Sequence, residues 1–178
     1  MKRSKLTVTV IAILSLLYSG CSSPEHGAPA TGTIKEQQQI SAMLDSFNSA
    51  AARADYKTYF NFYTEDAIFT GTDATERWDK PAFMAWAKPI FDKGHAWDFK
   101  ALERHIYFDS TGRLAWFDEL LNTHMKICRG SGVVVKQGDD WKIKQYILST
   151  TIPNEQLDTV IKFKAKLEDS LIRSFQKK

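Results

Sequence analysis

The sequence predicts an α+β domain in which helices pack on a strongly curved antiparallel sheet, with an extra helix at the C-terminal end. Three observations carry that reading. Apolar residues recur at helical spacing early in the chain, as at Ile40, Met43, Leu44, Phe47 and Ala51. After Gly94 the period drops to two, and turn sequences cut the chain into strand-length pieces. After Pro153 the helical period returns.

The first stripe, at i, i+3, i+4, i+7 and i+11, gives a helix with one apolar face. Asp55 is placed to cap a second, short helix over "YKTYFNFYTED", residues 56–66. "AIFTG", 67–71, reads as a strand. Asp79 caps a third helix whose first turn tolerates Pro81, whose apolar face is Phe83, Trp86, Ala87, Ile90 and Phe91, and which Gly94 ends. Strands follow at 97–108, 113–126, 130–137 and 140–151, with turns at "DSTG" and "QGDD". In the last strand Trp141, Ile143, Gln145 and Ile147 share one face. Lys142, Lys144, Tyr146 and Leu148 share the other, which the lysines turn toward solvent. Asn154 caps a final helix with Leu157, Val160, Ile161, Leu167 and Leu171 on one side, a face for the body or a second subunit.

The chain has 178 residues, 43% hydrophobic and 25% charged, the balance of a globular protein. Its start reads differently. "MKRSK" is basic, "LTVTVIAILSLLY" is apolar, and "SGC" follows, the pattern of a secretory signal. "YSGC" resembles a bacterial lipobox at Ser19, Gly20 and Cys21 and departs from it at Tyr18. The resemblance implies a signal peptide over 1–20 and lipid attachment at Cys21. Residues 21–33, rich in Ser, Pro, Gly and Ala, form a flexible tether. The folded domain spans 34–153 and the last helix 154–178. Ser22, where inner-membrane lipoproteins carry Asp, implies the outer membrane facing the periplasm. Losing Lys2, Arg3 and Lys5 with the signal leaves 21 basic against 21 acidic groups. The charge therefore gives no argument for nucleic acid, and none is expected as a partner.

Cys128 reads as a small buried apolar residue. His26, His95, His105 and His124 are scattered, with no metal-ligand spacing, phosphate loop or nucleophile elbow. No metal and no cofactor are expected.

Taken together, "YTEDAIFTG", "ERWDKPAFMAWAKPIF", "AWFDELL", "CRGSGVVVK" and "DDWKIKQYILSTTIPN" resemble the SnoaL-like branch of the NTF2-like superfamily over residues 36–154. The resemblance implies a cone-shaped fold with a helix-roofed pocket inside the bent sheet. It also implies a homodimer formed through the exposed sheet. Members include cofactor-free isomerases and dehydratases and many domains without catalysis, so the fold leaves function open.

Asp118 and Glu119 are neighbours on a strand, so one should face inward and the other outward. If Phe108 pairs with Arg113, Arg104 opposes Phe117 and lies diagonal to Glu119 on an apolar face. That register makes Glu119 the inward acid, partnered by Arg104; a one-residue slip would bring in Asp118 with His105 instead. Glu119, Asp118 and His105 are thus the candidate catalytic groups. Arg104, Trp78, Phe83, Trp86, Trp141, Gln145 and Arg129 are the candidate ligand contacts, with Phe69 a further aromatic wall. Three functions compete: a lipid-anchored domain binding a small, largely apolar molecule or a protein; a cofactor-free isomerase, dehydratase or hydrolase using a pocket carboxylate; and a structural envelope protein with a filled pocket.

Overall fold

Strand pairing sets the architecture. The computed structural model describes residues 31–177; the expected signal segment, Cys21 and the tether through residue 30 lie outside them. Strands β1 (Tyr63–Thr70), β2 (Arg77–Asp79), β3 (Lys100–Phe108), β4 (Leu114–Thr123), β5 (Lys126–Gln137) and β6 (Asp140–Thr150) form one sheet in the order β2-β1-β6-β5-β4-β3. β3 to β6 are consecutive antiparallel hairpins, as the period-two pattern requires. β1 joins β6 in parallel, which the sequence reading did not anticipate. Helices α1 (Thr31–Ala52), α2 (Tyr56–Asn61) and α3 (Lys80–Phe91) pack against the sheet, and the buried core lies between them. The pairing shifts register within β1–β6, β3–β4 and β5–β6. Such bulges bend a strand and increase its twist, which is how a flat meander becomes a curved one.

The expected caps form. The Asp55 carboxylate accepts the Thr58 N–H at 3.1 Å, and the Asp79 carboxylate accepts the Ala82 N–H at 2.9 Å. Elsewhere the boundaries differ. The second helix stops at Asn61 rather than 66, because Tyr63 and Thr64 are taken up by β1 beside β6. The Ile143 N–H donates to the Phe62 carbonyl at 2.8 Å and holds that switch. β2 is three residues long, too short to show a period. β3 begins at Lys100, leaving Trp97 in an irregular segment.

"CRGSG" lies inside β5, which begins at Lys126 rather than at residue 130. The turn comes earlier, at His124–Met125. There the Thr123 hydroxyl accepts the Met125 N–H and donates to the Lys126 carbonyl, both at 2.9 Å. Cys128 is fully buried. Asn154 does not cap the last helix; a short 3-10 turn, Asn154–Gln156, leads into α4 (Leu157–Phe175) without a side-chain cap. No residue of α4 is buried, and Phe163 and Leu167 are 80% and 77% exposed. Its apolar stripe is therefore not packed into the body. Among the described residues no helix is long and apolar enough to cross a membrane.

Candidate functional site

β4 alternates as a half-buried strand must: Ala115, Phe117, Glu119, Leu121 and Thr123 are buried, while Trp116 and Asn122 are exposed. Glu119 is 1% exposed. Its partner is Arg104, directly across the ladder rather than diagonal. The register differs by two from the expected one, because the β3–β4 loop is longer than "DSTG". Asp109 donates its N–H to the Leu114 carbonyl at 3.0 Å and accepts the Leu114 N–H on its carboxylate at 3.2 Å. Phe108 then pairs with Ala115. A slip of two residues keeps every side chain on its face, so the inward acid is unchanged.

Arg104 joins three elements. Its Nε donates to Glu119 Oε2 at 2.9 Å, and its Nη1 donates to the Ser41 carbonyl and hydroxyl on α1 at 2.9 and 2.8 Å. Its Nη2 stands 2.8 Å from Glu119 Oε2 and 2.9 Å from Asp45 Oδ1, close enough to pair charges though not aligned as hydrogen bonds. The other Glu119 oxygen, Oε1, accepts the Tyr146 hydroxyl at 2.9 Å. Both carboxylate oxygens are therefore engaged.

Tyr146 faces inward because of a bulge. β5 pairs Val134 with Ile143 but Val133 with Gln145, which leaves Lys144 as the extra residue. Beyond it the alternation inverts. Trp141 and Ile143 are buried, and so are Tyr146 and Leu148. Gln145 is turned out of the face assigned to it from the sequence. Gly130, across the sheet, makes room for the Tyr146–Glu119 contact. A Cβ there would lie 2.4 Å from the Tyr146 hydroxyl and 3.0 Å from Glu119 Cγ. Burial, with the Glu119 charge beside it, holds the Tyr146 phenol well above the usual tyrosine range.

Above Tyr146 lies a cavity of about 150 Å³. Phe47, Tyr59, Phe83 and Tyr146 are its buried walls; Phe69 and Trp97 are partly buried. Trp78, Trp86, Glu76 and His124 stand toward its mouth. Several rings are near parallel. Phe69 and Phe83 stack at 4.0 Å and 6°, and Phe69 and Tyr146 lie 6.1 Å apart at 5°. Tyr59 meets the Tyr63 hydroxyl at 3.3 Å, and burial pushes both phenols up.

Of the candidate ligand contacts, Trp78, Phe83 and Trp86 line this cavity, as does Phe69. Arg104 and Glu119 sit behind Tyr146 and are not part of the lining. Trp141 is elsewhere: its indole N–H donates to Glu36 Oε2 at 2.6 Å and ties α1 to β6. Arg129 is exposed, between inward-facing Cys128 and Gly130. Asp118 and His105 lie on the outer face of the sheet, each side chain about half exposed. His105 stands between Asp118 at 3.3 Å and Glu103 at 3.1 Å. Neither Asp118 nor His105 reaches the cavity, because strand alternation puts both opposite Glu119 and Phe117. Among the described residues no three metal-ligating side chains come together.

Sequence reasoning missed Tyr146, Tyr59, Trp97 and Glu76. The alternation in "WKIKQYIL" hid Tyr146, since the bulge that turns it inward is a pairing event. Trp97 carried a signal, an aromatic just past the Gly94 helix stop, but it was counted as strand.

The SnoaL-like domain family matches residues 40–153. No curated protein matches the chain. Among solved structures, it resembles an NTF2-like protein of unknown function from Pseudomonas putida KT2440, at 16% identity and a TM-score of 0.58, covering 70% of this chain and 92% of that one. A domain of unknown function with a cystatin-like fold from Nostoc punctiforme PCC 73102 gives 16% identity and 0.59, covering 81% and 98%. A protein from Novosphingobium aromaticivorans DSM 12444, provisionally described as a scytalone dehydratase, gives 15% and 0.58, covering 67% and 87%. At such identities the likeness is one of fold.

Proposed function

The chain belongs to the SnoaL-like domain family, and from that premise we propose that it is a binding domain for a small, planar, largely apolar molecule, held by a lipid at Cys21 on the periplasmic side of the outer membrane. One observation carries the binding part: a formed cavity of about 150 Å³ walled by near-parallel aromatic rings. A dry apolar cavity of about that volume accepts a single aromatic ring. The lipobox-like "YSGC" and the tether after it support the anchor.

The same geometry takes Glu119 out of the catalytic role expected of it. A pocket carboxylate acting as general base needs a free oxygen within reach of substrate. Glu119 has neither: Arg104 and Tyr146 occupy its oxygens, and it stands behind the lining. The dehydratase-like neighbour keeps an enzymatic reading in view, and in it Tyr146 would be the contact. An exposed outer sheet face with Tyr107, Trp116, Leu102 and Ile127 suits a second copy as partner.

Native mass spectrometry of the protein from its own host tests the binding reading. A retained small molecule, displaced when Phe83 is replaced by Trp to fill the cavity, is the expected result. A protein that is empty as isolated and takes up no aromatic probe would refute it. For the anchor, fatty-acid labelling should vanish in Cys21→Ala; labelling that persists rejects the lipid site.

A further inference from the structure

Resting on that binding reading, we infer that the ligand carries a positive charge: an amine or quaternary ammonium on a planar apolar body, with the charge lodged at the cavity mouth beside Glu76. The lining contains one acidic side chain, Glu76, and no lysine or arginine. Glu76 makes no ion pair among the described residues; its Oε2 accepts only the Asp73 N–H, at 3.2 Å. An acid at the rim of an aromatic cavity without a counter-charge is costly to cover with a neutral or anionic molecule and favourable to cover with a cation.

The rings beside it suit the same charge. Trp78 and Trp86 lie 4.9 Å apart at 27°, and Trp86 and Trp97 lie 6.5 Å apart at 32°, so three neighbouring indoles share the lining with Glu76. Indole is the strongest aromatic partner for a cation. Trp86 is 44% exposed and so open to a ligand at the cavity. Gly71 lies under the acid: a Cβ there would meet the Glu76 carboxylate, which with glycine folds over the end of β1 without shifting. The positive charge of Arg104 does not oppose the ligand, because Glu119 and Asp45 face it on the far side of Tyr146.

Matched probes test this on the full chain: phenyltrimethylammonium, its neutral isostere tert-butylbenzene, and benzoate, followed by tryptophan fluorescence. The cation should bind about five- to tenfold more tightly than the isostere, and benzoate most weakly. Glu76→Gln should remove most of that preference and leave the isostere within about twofold, since the amide still accepts the Asp73 N–H. If Glu76→Gln does not fold, rising salt in the parent protein must weaken the cation and spare the isostere. An isostere that binds as well as the cation, or a preference untouched by Glu76→Gln and by salt, overturns the charge inference but keeps the pocket. Failure of both the isostere and the cation to bind overturns the pocket reading itself.

Discussion

Arg104→Met tests the centre of the site. The substitution keeps an unbranched apolar stem and removes the guanidinium. It leaves Glu119, whose side chain is fully buried, facing a 7% exposed position with no positive charge. Removing one partner of a buried pair costs about 3–5 kcal/mol, most of it the price of the stranded charge. The contact to Asp45, 64% exposed, contributes little beside that. For a domain of this size the loss corresponds to about 10–20 °C in melting temperature. Urea unfolding followed by tryptophan fluorescence measures it directly. Adding Glu119→Gln removes the stranded charge and keeps an acceptor for the Tyr146 hydroxyl. The double variant should therefore be about 1–2 kcal/mol more stable than Arg104→Met alone. A loss under about 1 kcal/mol for Arg104→Met, or a double variant that equals the sum of the singles, would refute the buried pair as a coupled unit.

Further expectations follow from the same geometry. Gly130→Ala drives a methyl into the Tyr146–Glu119 contact and should cost about 1–3 kcal/mol; an unchanged urea midpoint would show that the strands part easily there. Asp118→Asn changes a half-exposed outer-face acid and should shift stability by less than about 0.5 kcal/mol, with capture of an aromatic probe unaffected. Loss of capture would return Asp118 to the site. Tyr59, Tyr63 and Tyr146 have phenols held above their unfolded value of about 10, so their stabilising share is full below that pH and is lost as pH rises past it. Absorbance at 295 nm should show these three ionising only as the chain unfolds; smooth titration near pH 10 would contradict their burial.

Much of this architecture was legible because the relevant signals are local. Asp55 and Asp79 begin helices through hydrogen bonds to residues three positions on. Glu119 faces inward because alternation along β4 survives an error of two residues in hairpin length. The aromatics of "ERWDKPAFMAW" reach the cavity because one helix and its short leading strand present them together.

What the sequence alone determined, then, was the fold class, the caps, the inward acid and part of the aromatic wall, each written within a few residues of itself. Tertiary structure decided the rest. Lys144 is extruded as a bulge because β6 must satisfy β1 on one side and β5 on the other, and no local pattern contains both demands. That choice turns Tyr146 inward, turns Gln145 away, and closes the cavity floor over Glu119. The lining brings Glu76, Trp86, Trp97 and His124 together from four separate segments, a proximity that exists only after the sheet has curved.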